Sequence, residues 1–542
     1  MPGVRVLLKN SGTGAAQETQ TNTQGTYRFS FLPPGSYLVT AEATNFMTAQ
    51  KSVPVQVGQI TTVDIQLAIK TSAASIEVSE IAIGVQSDNA NLSSSVTTQQ
   101  LATLPNNGND MTFYALLAPG VTMSTNGGYG NFSSFGLPAT SNTFTINGAI
   151  NNDVYLNLNN SGASNLMLGS NDIGEATVVN NGYSGQYGGL AGSQVNYVSK
   201  SGTNTYHGNA IYYWNGRAMN ANNWFNNQSG VPKPFSNVNE WATSAGGPIP
   251  KQKDKTFFFV DYEGTRIVLP SNIQTKIPSP QFAAATLANL KATGQTQAVP
   301  FYQNTFNLYA GAPGASTAVP VPGGGCGTFT LLGAGVPCAL QFRSNAGNFT
   351  KEYVWTARVD HTFGQNDRAF VQVQRDNGTQ PTYTDPINSI FNAFSPQPEM
   401  NGQISETHTF GPTAVNQFII TGQYYSARFG PADYPAVLAV FPTVVRFSPS
   451  LFSNMGGEGY NWPQGRNVTQ YQIIDDVSKT YKTHNLKFGV NFHRIDLSYL
   501  SYGTYQYGRI TERNLLDFYD GGGTANYLQQ NFPQASEAPF AY

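Results

Sequence analysis

Residues 485–494 read NLKFGVNFHR, and this stretch decides the kind of fold to expect. Apolar side chains alternate with other side chains along it, namely Leu486, Phe488, Val490 and Phe492 against Lys487, Gly489, Asn491 and His493. A segment of about ten residues with one apolar and one polar face is typical of a transmembrane β-barrel wall. We therefore expect a strand with one face toward lipid and the other toward a wet or protein-filled interior.

The same alternation recurs from about Thr205 onward. Short turns and long polar loops separate the segments, as in an antiparallel barrel with turns at one end and loops at the other. We interpret His361 and His493, which fall within such segments, as wall or rim residues rather than metal ligands. The predicted strands are 205–214, 256–263, 354–363, 368–375, 403–410, 415–425, 470–478, 485–494 and 501–509.

The composition of the whole chain excludes several other classes of protein. Only 11% of the 542 residues are charged, against roughly 25% in an average soluble domain. With 55 Gly, 29 Tyr and 33 Phe, the chain is rich in turn and strand formers, which excludes a long coiled coil or helical bundle. The net charge of −2, without a block of Lys and Arg, argues against a nucleic-acid partner.

The first seventy residues are predicted to form a separate small β-sandwich. Val4, Val6 and Leu8 alternate with polar residues, and the pattern returns at 27–31, 37–41, 53–57 and 63–67. Pro33-Pro34-Gly35 supplies a turn between two of these runs. Five or six short strands in this length indicate two packed layers of sheet.

A motif in this region resembles the carboxypeptidase regulatory-like domain, a transthyretin-like sandwich with a carbohydrate-binding-like fold. The motif is Gly25-x-Tyr27-x-Phe29-x-x-Leu32-x-x-Gly35-x-Tyr37-x-Val39. The resemblance implies a packing or spacer module rather than a peptidase, since the motif carries no metal triad. Members usually begin one strand earlier, so we expect the first strand to be missing here.

The next region is rich in Asn and Gly, with 27 Asn among the 150 residues from Leu101 to Pro250. Five short motifs follow one another in it, namely LPNNG at 104–108, LLAPGV at 116–121, FTING at 144–148, YSGQYG at 183–188 and VNYVSKSGTN at 195–204. In this order they resemble the plug domain of TonB-dependent outer-membrane receptors, and with the N-terminal domain they are most similar to the Oar-like subgroup. Tyr183, Gly185, Gln186, Tyr187 and Gly188 form the predicted plug turn motif, whose glycines we expect to lie where a Cβ would collide.

The resemblance and the patterns together predict an all-β-dominated chain. Its parts are a transthyretin-like sandwich at 1–70, an α+β plug at 71–204 and the N-terminal part of a large antiparallel transmembrane barrel at 205–542. A barrel that encloses such a plug needs about 22 strands, so we expect the chain to be a fragment that lacks a signal peptide and much of its barrel.

The resemblance also implies location and partners. It implies a monomeric barrel in outer-membrane lipid of a Gram-negative bacterium, and an inner-membrane TonB complex that pulls a periplasmic segment by strand pairing. Ile76, Glu77, Val78 and Ser79 form the only short β-prone run in a flexible Ser/Ala-rich setting and are the candidate for that segment. A first strand of the plug is the alternative interpretation.

The extracellular ligand is not identified by any motif. The predicted plug apices at 126–135 and 157–165 are rich in Asn, Gly, Ser and aromatic residues, which favours a saccharide or peptide over an anionic siderophore. A structural, adhesion or secretion-linked outer-membrane protein without import activity is the alternative function.

No catalytic, cofactor or metal site is predicted, because the sequence has no Gly-x-Ser-x-Gly, no Walker-type motif and no clustered His and carboxylate set. The remaining candidate feature is a pair of cysteines. Cys326 and Cys338 stand 12 apart in a Gly/Pro-rich loop, a spacing that suits a local disulfide in an oxidising compartment.

Overall fold

The computed structural model describes most of the chain. The described residues are 1–70, 77–80, 91–104, 110–124, 131–159, 161–181, 185–222, 224–228, 232–270, 273–344, 346–441, 443–447, 451–457, 464–482, 484–501, 509–512 and 514–521. Strands dominate, which confirms the predicted fold class. No helix within these ranges is both long enough and apolar enough to cross a membrane.

The N-terminal region forms a five-stranded sheet. Its strands are β1 (Arg5–Asn10), β2 (Ala16–Gln20), β3 (Gly35–Glu42), β4 (Ala49–Val55) and β5 (Glu77–Glu80), in the order β2-β1-β3-β4-β5. β5 runs parallel to β4, and the other pairs are antiparallel. Val6, Leu8 and Val39 lie in the core of this sheet, so the predicted apolar face is the buried one.

Two of the predicted strands in this region are not strands. Residues 27–31 and 63–67 make no ladder in the described chain, although Tyr27, Phe29 and Ile65 pack against the same core. The Tyr27 hydroxyl donates to the carbonyl of Val63 at 2.9 Å, so the two segments are joined by a side-chain hydrogen bond rather than by a strand ladder. Phe31 adopts a φ of 53°, which breaks the extended backbone that a ladder requires.

The next region, which we call the plug, comprises the described residues from 91 to 204. Its helix α1 (Thr98–Thr103) begins with a capping box between Thr97 and Gln100. The strands are β6 (Leu92–Val96), β7 (Val121–Met123), β8 (Phe132–Ser134), β9 (Thr143–Ile146), β10 (Ala149–Ile150), β11 (Asn152–Asp153), β12 (Leu158–Asn159), β13 (Ile173–Asn181) and β14 (Gln194–Ser199). One sheet has the order β10-β9-β14-β13-β6, with β9 and β14 parallel.

The plug has its own compact core. Phe132, Phe144, Val178 and Tyr197 are almost fully buried in it, together with Met111 of a 3₁₀ helix at Met111–Leu117. The Tyr197 hydroxyl donates to the carbonyl of Met111 at 3.0 Å, so the polar end of this buried ring is satisfied.

The chain from His207 onward contains the longest strands. The strands are β15 (His207–Gly216), β16 (Asn237–Pro248), β17 (Thr256–Pro270), β18 (Gln274–Pro278), β19 (Val319–Pro320), β20 (Ala339–Arg343), β21 (Gly347–Thr362), β22 (Asp367–Tyr383), β23 (Ala393–Pro396), β24 (Glu399–Thr409), β25 (Ala414–Pro431), β26 (Val444–Phe447), β27 (Gln464–Tyr481), β28 (His484–Ser501) and β29 (Arg509–Glu512). The helices are α2 (Trp224–Gln228), α3 (Pro280–Ala292), α4 (Val299–Ala310), α5 (Tyr434–Val440) and α6 (Leu515–Tyr519).

Ten of these strands form one antiparallel sheet, which we call the wall. Its order is β15-β16-β17-β21-β22-β23-β25-β27-β28, and β24 lies between β22 and β25. Outward side chains such as Val260, Ile404 and Phe492 are exposed, and inward ones such as Gln372 and Gln470 are buried. The predicted division into an apolar outer and a polar inner face is therefore correct.

Eight of the nine predicted wall segments overlap observed strands. The ninth, 501–509, lies almost entirely outside the described residues. The sequence pattern missed β16, because Asn237–Pro248 reads NVNEWATSAGGP and shows almost no apolar alternation. Its twelve residues pair with β17 in continuous register from Asn237 to Pro248, so backbone pairing rather than hydrophobic pattern defines this strand.

The long connections of the wall build a further unit, which we call the loop domain. It comprises 273–344, 384–392, 433–457 and 509–521 within the described ranges, and these segments share one core. Phe282, Phe391, Phe441 and Phe518 are at most 1% exposed there. The sequence pattern indicates only long loops in this region.

Candidate functional site

The two ends of the wall differ in what covers them. The short turns at 249–255, 363–366 and 410–413 and the turn residue Lys482 lie at one end, and the N-terminal region contacts them. Thr19 Oγ1 donates to the carbonyl of Pro412 at 3.1 Å, and Asn22 Nδ2 donates to that of Lys482 at 3.3 Å. The Arg368 guanidinium donates to the carbonyl of Phe31. The loop domain is built from the connections at the opposite end.

A row of wall glutamines holds the plug loop at residues 147–153. Gln472 makes two bonds to Ile150, since its Nε2 donates to the carbonyl at 2.8 Å and its Oε1 accepts from the amide at 3.1 Å. Gln372 Oε1 accepts from Asn147 Nδ2 at 2.9 Å. The members of this glutamine row are Gln372, Gln403, Gln423, Gln470 and Gln472, each at most 6% exposed and each bonded to this loop.

A buried ion pair fixes the end of the same loop. Arg466 Nη2 lies 2.7 Å from Asp153 Oδ2, with side-chain exposures of 9% and 5%. The guanidinium also lies over the rings of Tyr155 and Tyr425, 4.7 and 5.2 Å from their centroids. A pair so well enclosed is costly to break on one side, because the remaining charge would stay buried without a partner.

Carboxylates of the wall hold a second plug segment at 169–172. Asn171 donates from its amide to Glu263 Oε1 at 2.5 Å and from Nδ2 to Asp261 Oδ1 at 2.6 Å. Thr356 Oγ1 donates to Asp172 Oδ2 at 2.6 Å. Burial, and then the nearby Asp261 carboxylate, raise the pKa of Asp172 to about 7. Three carboxylates therefore share a small buried volume.

A third contact involves the plug residues 162–164. The amide of Ser164 donates to Glu352 Oε2. A Cβ added to Gly162 would lie 2.2 Å from Glu352 Oε1 and 2.5 Å from Asp376 Oδ2, so only glycine fits against this carboxylate pair. Glu352 and Asp376 are both buried, and their carboxyl groups face each other.

Apolar contacts between plug and wall are few by comparison. One small cluster joins Ala149 to Ile419 and Ile474, and another joins Val154 to residues around Tyr425. Hydrogen bonds contribute about 0.5–1.5 kcal/mol each, and water can replace their partners when the surfaces separate. The contact between plug and wall is therefore mostly polar and can be exchanged bond by bond.

The predicted energy-coupling segment falls on the edge of the N-terminal sheet. Glu77, Val78 and Ser79 belong to β5, where Val78 pairs in parallel register with Gln50 of β4. Ile76 lies outside the described residues. The segment is thus paired along one edge with the sandwich and is not a strand of the plug sheet, whose order is β10-β9-β14-β13-β6.

The predicted plug turn motif is only partly described. Tyr183 lies outside the described residues, and Gly185 to Gly188 form a turn. Gln186 Oε1 accepts from Lys487 Nζ of β28 at 2.5 Å. The expectation that a Cβ would collide at these glycines was wrong, because a Cβ added at Gly185 or Gly188 would have no described atom within 4 Å.

The two cysteines are joined in the structure. Cys326 and Cys338 form a disulfide within the loop domain, and Cys338 is fully buried in its core. Three potential metal ligands that the sequence analysis did not group, Asp367, Glu406 and His408, lie within 4.8 Å of one another. His408 Nδ1 already pairs with Asp367 Oδ1 at 2.5 Å there.

Sequence reasoning missed the glutamine row and the Arg466–Asp153 pair. A signal for the former was present, since Gln470 and Gln472 stand two apart on the inward face of a predicted strand. The Arg466–Asp153 pair joins residues 313 positions apart, and no local sequence pattern around either residue indicates its partner.

Comparisons with known proteins agree with this architecture. A model of the outer membrane beta barrel domain matches residues 198–539, which is more than half of the chain. A model of the carboxypeptidase regulatory-like domain matches residues 1–68. The TonB-dependent transporter Oar of Myxococcus xanthus is 25% identical over 259 residues, which cover 45% of this chain and 23% of that protein.

Solved structures give similar but distant matches. The outer membrane transporter YddB from Escherichia coli has a TM-score of 0.49 at 10% identity, covering 78% of this chain and 50% of its own. The siderophore receptor PirA from Pseudomonas aeruginosa has a TM-score of 0.43 at 10% identity, and the match covers 76% of this chain and 49% of the receptor. The chain thus spans half or less of the length of these relatives.

Proposed function

We propose that this chain takes part in energised uptake. It belongs to the outer membrane β-barrel domain family and is a TonB-dependent receptor of the Oar type. Its location is the outer membrane of a Gram-negative bacterium. We propose that it binds a bulky substrate from outside the cell and releases it inward when the plug moves.

The polar contact between plug and wall supports this proposal most directly. Each member of the glutamine row bonds the plug loop at 147–153, whereas the apolar clusters there are small. A plug that had to stay in place permanently would gain more from apolar burial, at about 25 cal/mol per Å². A contact made of exchangeable hydrogen bonds suits a plug that an external force rearranges.

We propose that the force enters through β5. No strand among the described residues pairs with its outer edge. An energising protein of the inner membrane could pair with that edge by adding a strand. β5 pairs with β4 over only four residues, from Glu77 to Glu80, so this pairing is easy to exchange. The N-terminal sheet would then present the segment at the short-turn end of the wall.

For the substrate we favour a saccharide or peptide over a siderophore. The described residues of the predicted plug apices include Asn157 and Asn165, which are half-buried, and Phe135, which is exposed. Amides and aromatic rings recognise neutral polar ligands by hydrogen bonding and stacking.

The test is to lock the plug to the wall in the organism that encodes the chain. Asn147 and Gln372 are changed to Cys and joined by a short bifunctional thiol reagent, since their side chains are 2.9 Å apart. The matched control joins Asn147→Cys to Ser199→Cys, which are 3.0 Å apart within the plug itself. Accumulation of labelled oligopeptides and labelled maltodextrins is compared with that of a strain lacking the gene.

We expect the plug-to-wall link to abolish accumulation of one labelled class and the link within the plug to preserve it. Equal accumulation in the wild type and the deleted strain would contradict import and would favour a structural or secretion-linked role.

A photo-reactive amino acid at Val78 should capture the energising protein, whereas one at Glu18, on the opposite edge strand of the same sheet, should not.

A further inference from the structure

The loop domain contains a small cavity at the junction of four elements. It has a volume of about 210 Å³, and its lining comprises Ala298, Phe301, Tyr302, Val445, Ile510, Glu512, Phe518 and Gly521. This volume fits a single side chain or a small organic group, not a whole oligomer. The cavity lies outside the contact between plug and wall.

Aromatic rings form much of its wall. The ring centroids of Tyr302 and Phe518 are 4.8 Å apart, and those of Phe301 and Tyr302 are 5.6 Å apart. Asp520, the residue that follows α6, is held by Asn289 of α3 and by Gln295 just beyond it. Asn289 Nδ2 donates to Asp520 Oδ1 at 3.0 Å, and Gln295 Nε2 donates to the carbonyl of Asp520 at 2.6 Å. The rings are therefore held by packed helices.

One charged group lines this apolar cavity. Glu512, at the end of β29, is 1% exposed, and its Oε2 has no hydrogen-bond partner in the described structure. Burial, and then the like charge of Asp517, raise the pKa of Glu512 to about 7. A buried carboxylate without a partner is costly to the fold, by several kcal/mol if it stays ionised.

A cationic ligand would offset this cost. An ammonium group donates to a carboxylate in a charge-assisted hydrogen bond, and the faces of aromatic rings attract it further. A carboxylate ligand would be repelled, and a neutral apolar one would leave Oε2 without a donor. The chemistry of the cavity thus selects a primary amine attached to a short apolar stem.

We propose that this cavity binds a primary ammonium group, such as a peptide N-terminus or a lysine side chain, with Glu512 as its anion and Phe301, Tyr302 and Phe518 around it. This assignment deepens the proposed function by favouring a peptide over a saccharide as substrate, and it rests on that function for its biological meaning. Binding itself requires neither an energising complex nor movement of the plug.

The test uses the whole chain, purified in detergent, and n-butylamine as the probe. Saturation-transfer NMR measures its binding, with n-butanol and butyrate as neutral and anionic counterparts of the same length. We expect n-butylamine to bind, with Glu512→Gln weakening it at least tenfold. Asp517→Asn is the matched control, because it removes a nearby negative charge that does not line the cavity, and we expect a change below threefold.

Thermal unfolding separates binding from folding. Glu512→Gln removes a buried charge without changing the shape of the side chain, so we expect the variant to be at least as stable as the wild type in the absence of amine. Absence of n-butylamine binding to the wild type, equal binding of butanol, or unchanged binding to Glu512→Gln would each overturn the proposal. Amine binding that persists while gene deletion leaves uptake unaltered would support the site and contradict the import function.

Discussion

The loop domain is held together by aromatic burial, whereas the plug is held to the wall mostly by polar contacts. The loop domain is built on an aromatic core, in which Phe282 lies within 6.3 Å of the rings of Phe329, Phe452 and Phe518. The plug has its own core, but it meets the wall through amides and charges, including the glutamine row and Arg466. Apolar burial gives permanence, whereas polar contact allows water to replace one partner at a time.

Under the proposed function, this difference separates two tasks within one chain. A unit that presents a fixed surface gains from an apolar core, because that core is lost only on unfolding. A unit that must move within an enclosure needs contacts that can be remade in a new position. The following predictions test whether stability is divided in this way.

The largest effect is expected from Phe282→Ala in the loop domain. Phe282 is fully buried, so its loss leaves a cavity and costs about 3–5 kcal/mol. Hydrogen exchange should show faster opening of α3 and α4, while peptides of the plug exchange as before. Leu331→Ala is the control, since Leu331 is 60% exposed in the same domain and should change the opening free energy by less than about 0.5 kcal/mol. Equal loss of protection in the plug would contradict the separation.

The next effect is expected from Arg466→Met at the contact between plug and wall. Asp153 would stay buried without its cation, which costs about 3 kcal/mol. Hydrogen exchange of the 147–153 loop should accelerate, with no change in the loop domain. In the double variant Arg466→Met with Asp153→Asn, the buried charge is absent from both sides, and we expect more than half of the loss to be recovered. Additive losses would mean that the pair does not act as a unit.

A smaller effect is expected when the disulfide is removed. Cys326 and Cys338 close a loop with a sequence separation of 12, for which loop-closure entropy gives about 2–3 kcal/mol. The double change to Ser should lower the stability of the loop domain and leave the 147–153 loop unaffected. Reduction of the wild type should reproduce this result, and a matching loss in the plug would show that the two units unfold together.

The sequence predicted the wall better than what lies on either side of it. Alternation with period two is local, so β28 and β21 could be recognised from ten residues each. The loop domain could not, because its core joins segments as distant as Phe282 and Phe518, and no local pattern shows that they meet. The glutamine row lay within predicted strands, but an inward glutamine shows only that its environment is polar. The plug residue that each glutamine contacts is determined only by the three-dimensional fold.

The smallest effect is expected at the other face of the plug, where it meets the N-terminal sheet. Glu175 Oε1 accepts from the amide of Val57 at 3.1 Å, and burial raises the pKa of Glu175 from 4.5 to about 7. Because the folded pKa lies above the unfolded one, this group favours the docked state most below about pH 4.5, and that contribution is lost as the pH rises to about 7. The shift would be worth roughly 3 kcal/mol against full unfolding. Because undocking of residues 53–57 alone leaves Glu175 on β13 of the plug, we expect about 1 kcal/mol. Hydrogen exchange of residues 53–57 between pH 5 and 8, corrected for the intrinsic rate, measures the change.

Glu175→Gln can still accept from Val57 and should remove the pH dependence, whereas Glu42→Gln, on an exposed part of the N-terminal sheet, should retain it. A pH dependence that survives in Glu175→Gln would show that another group controls this contact.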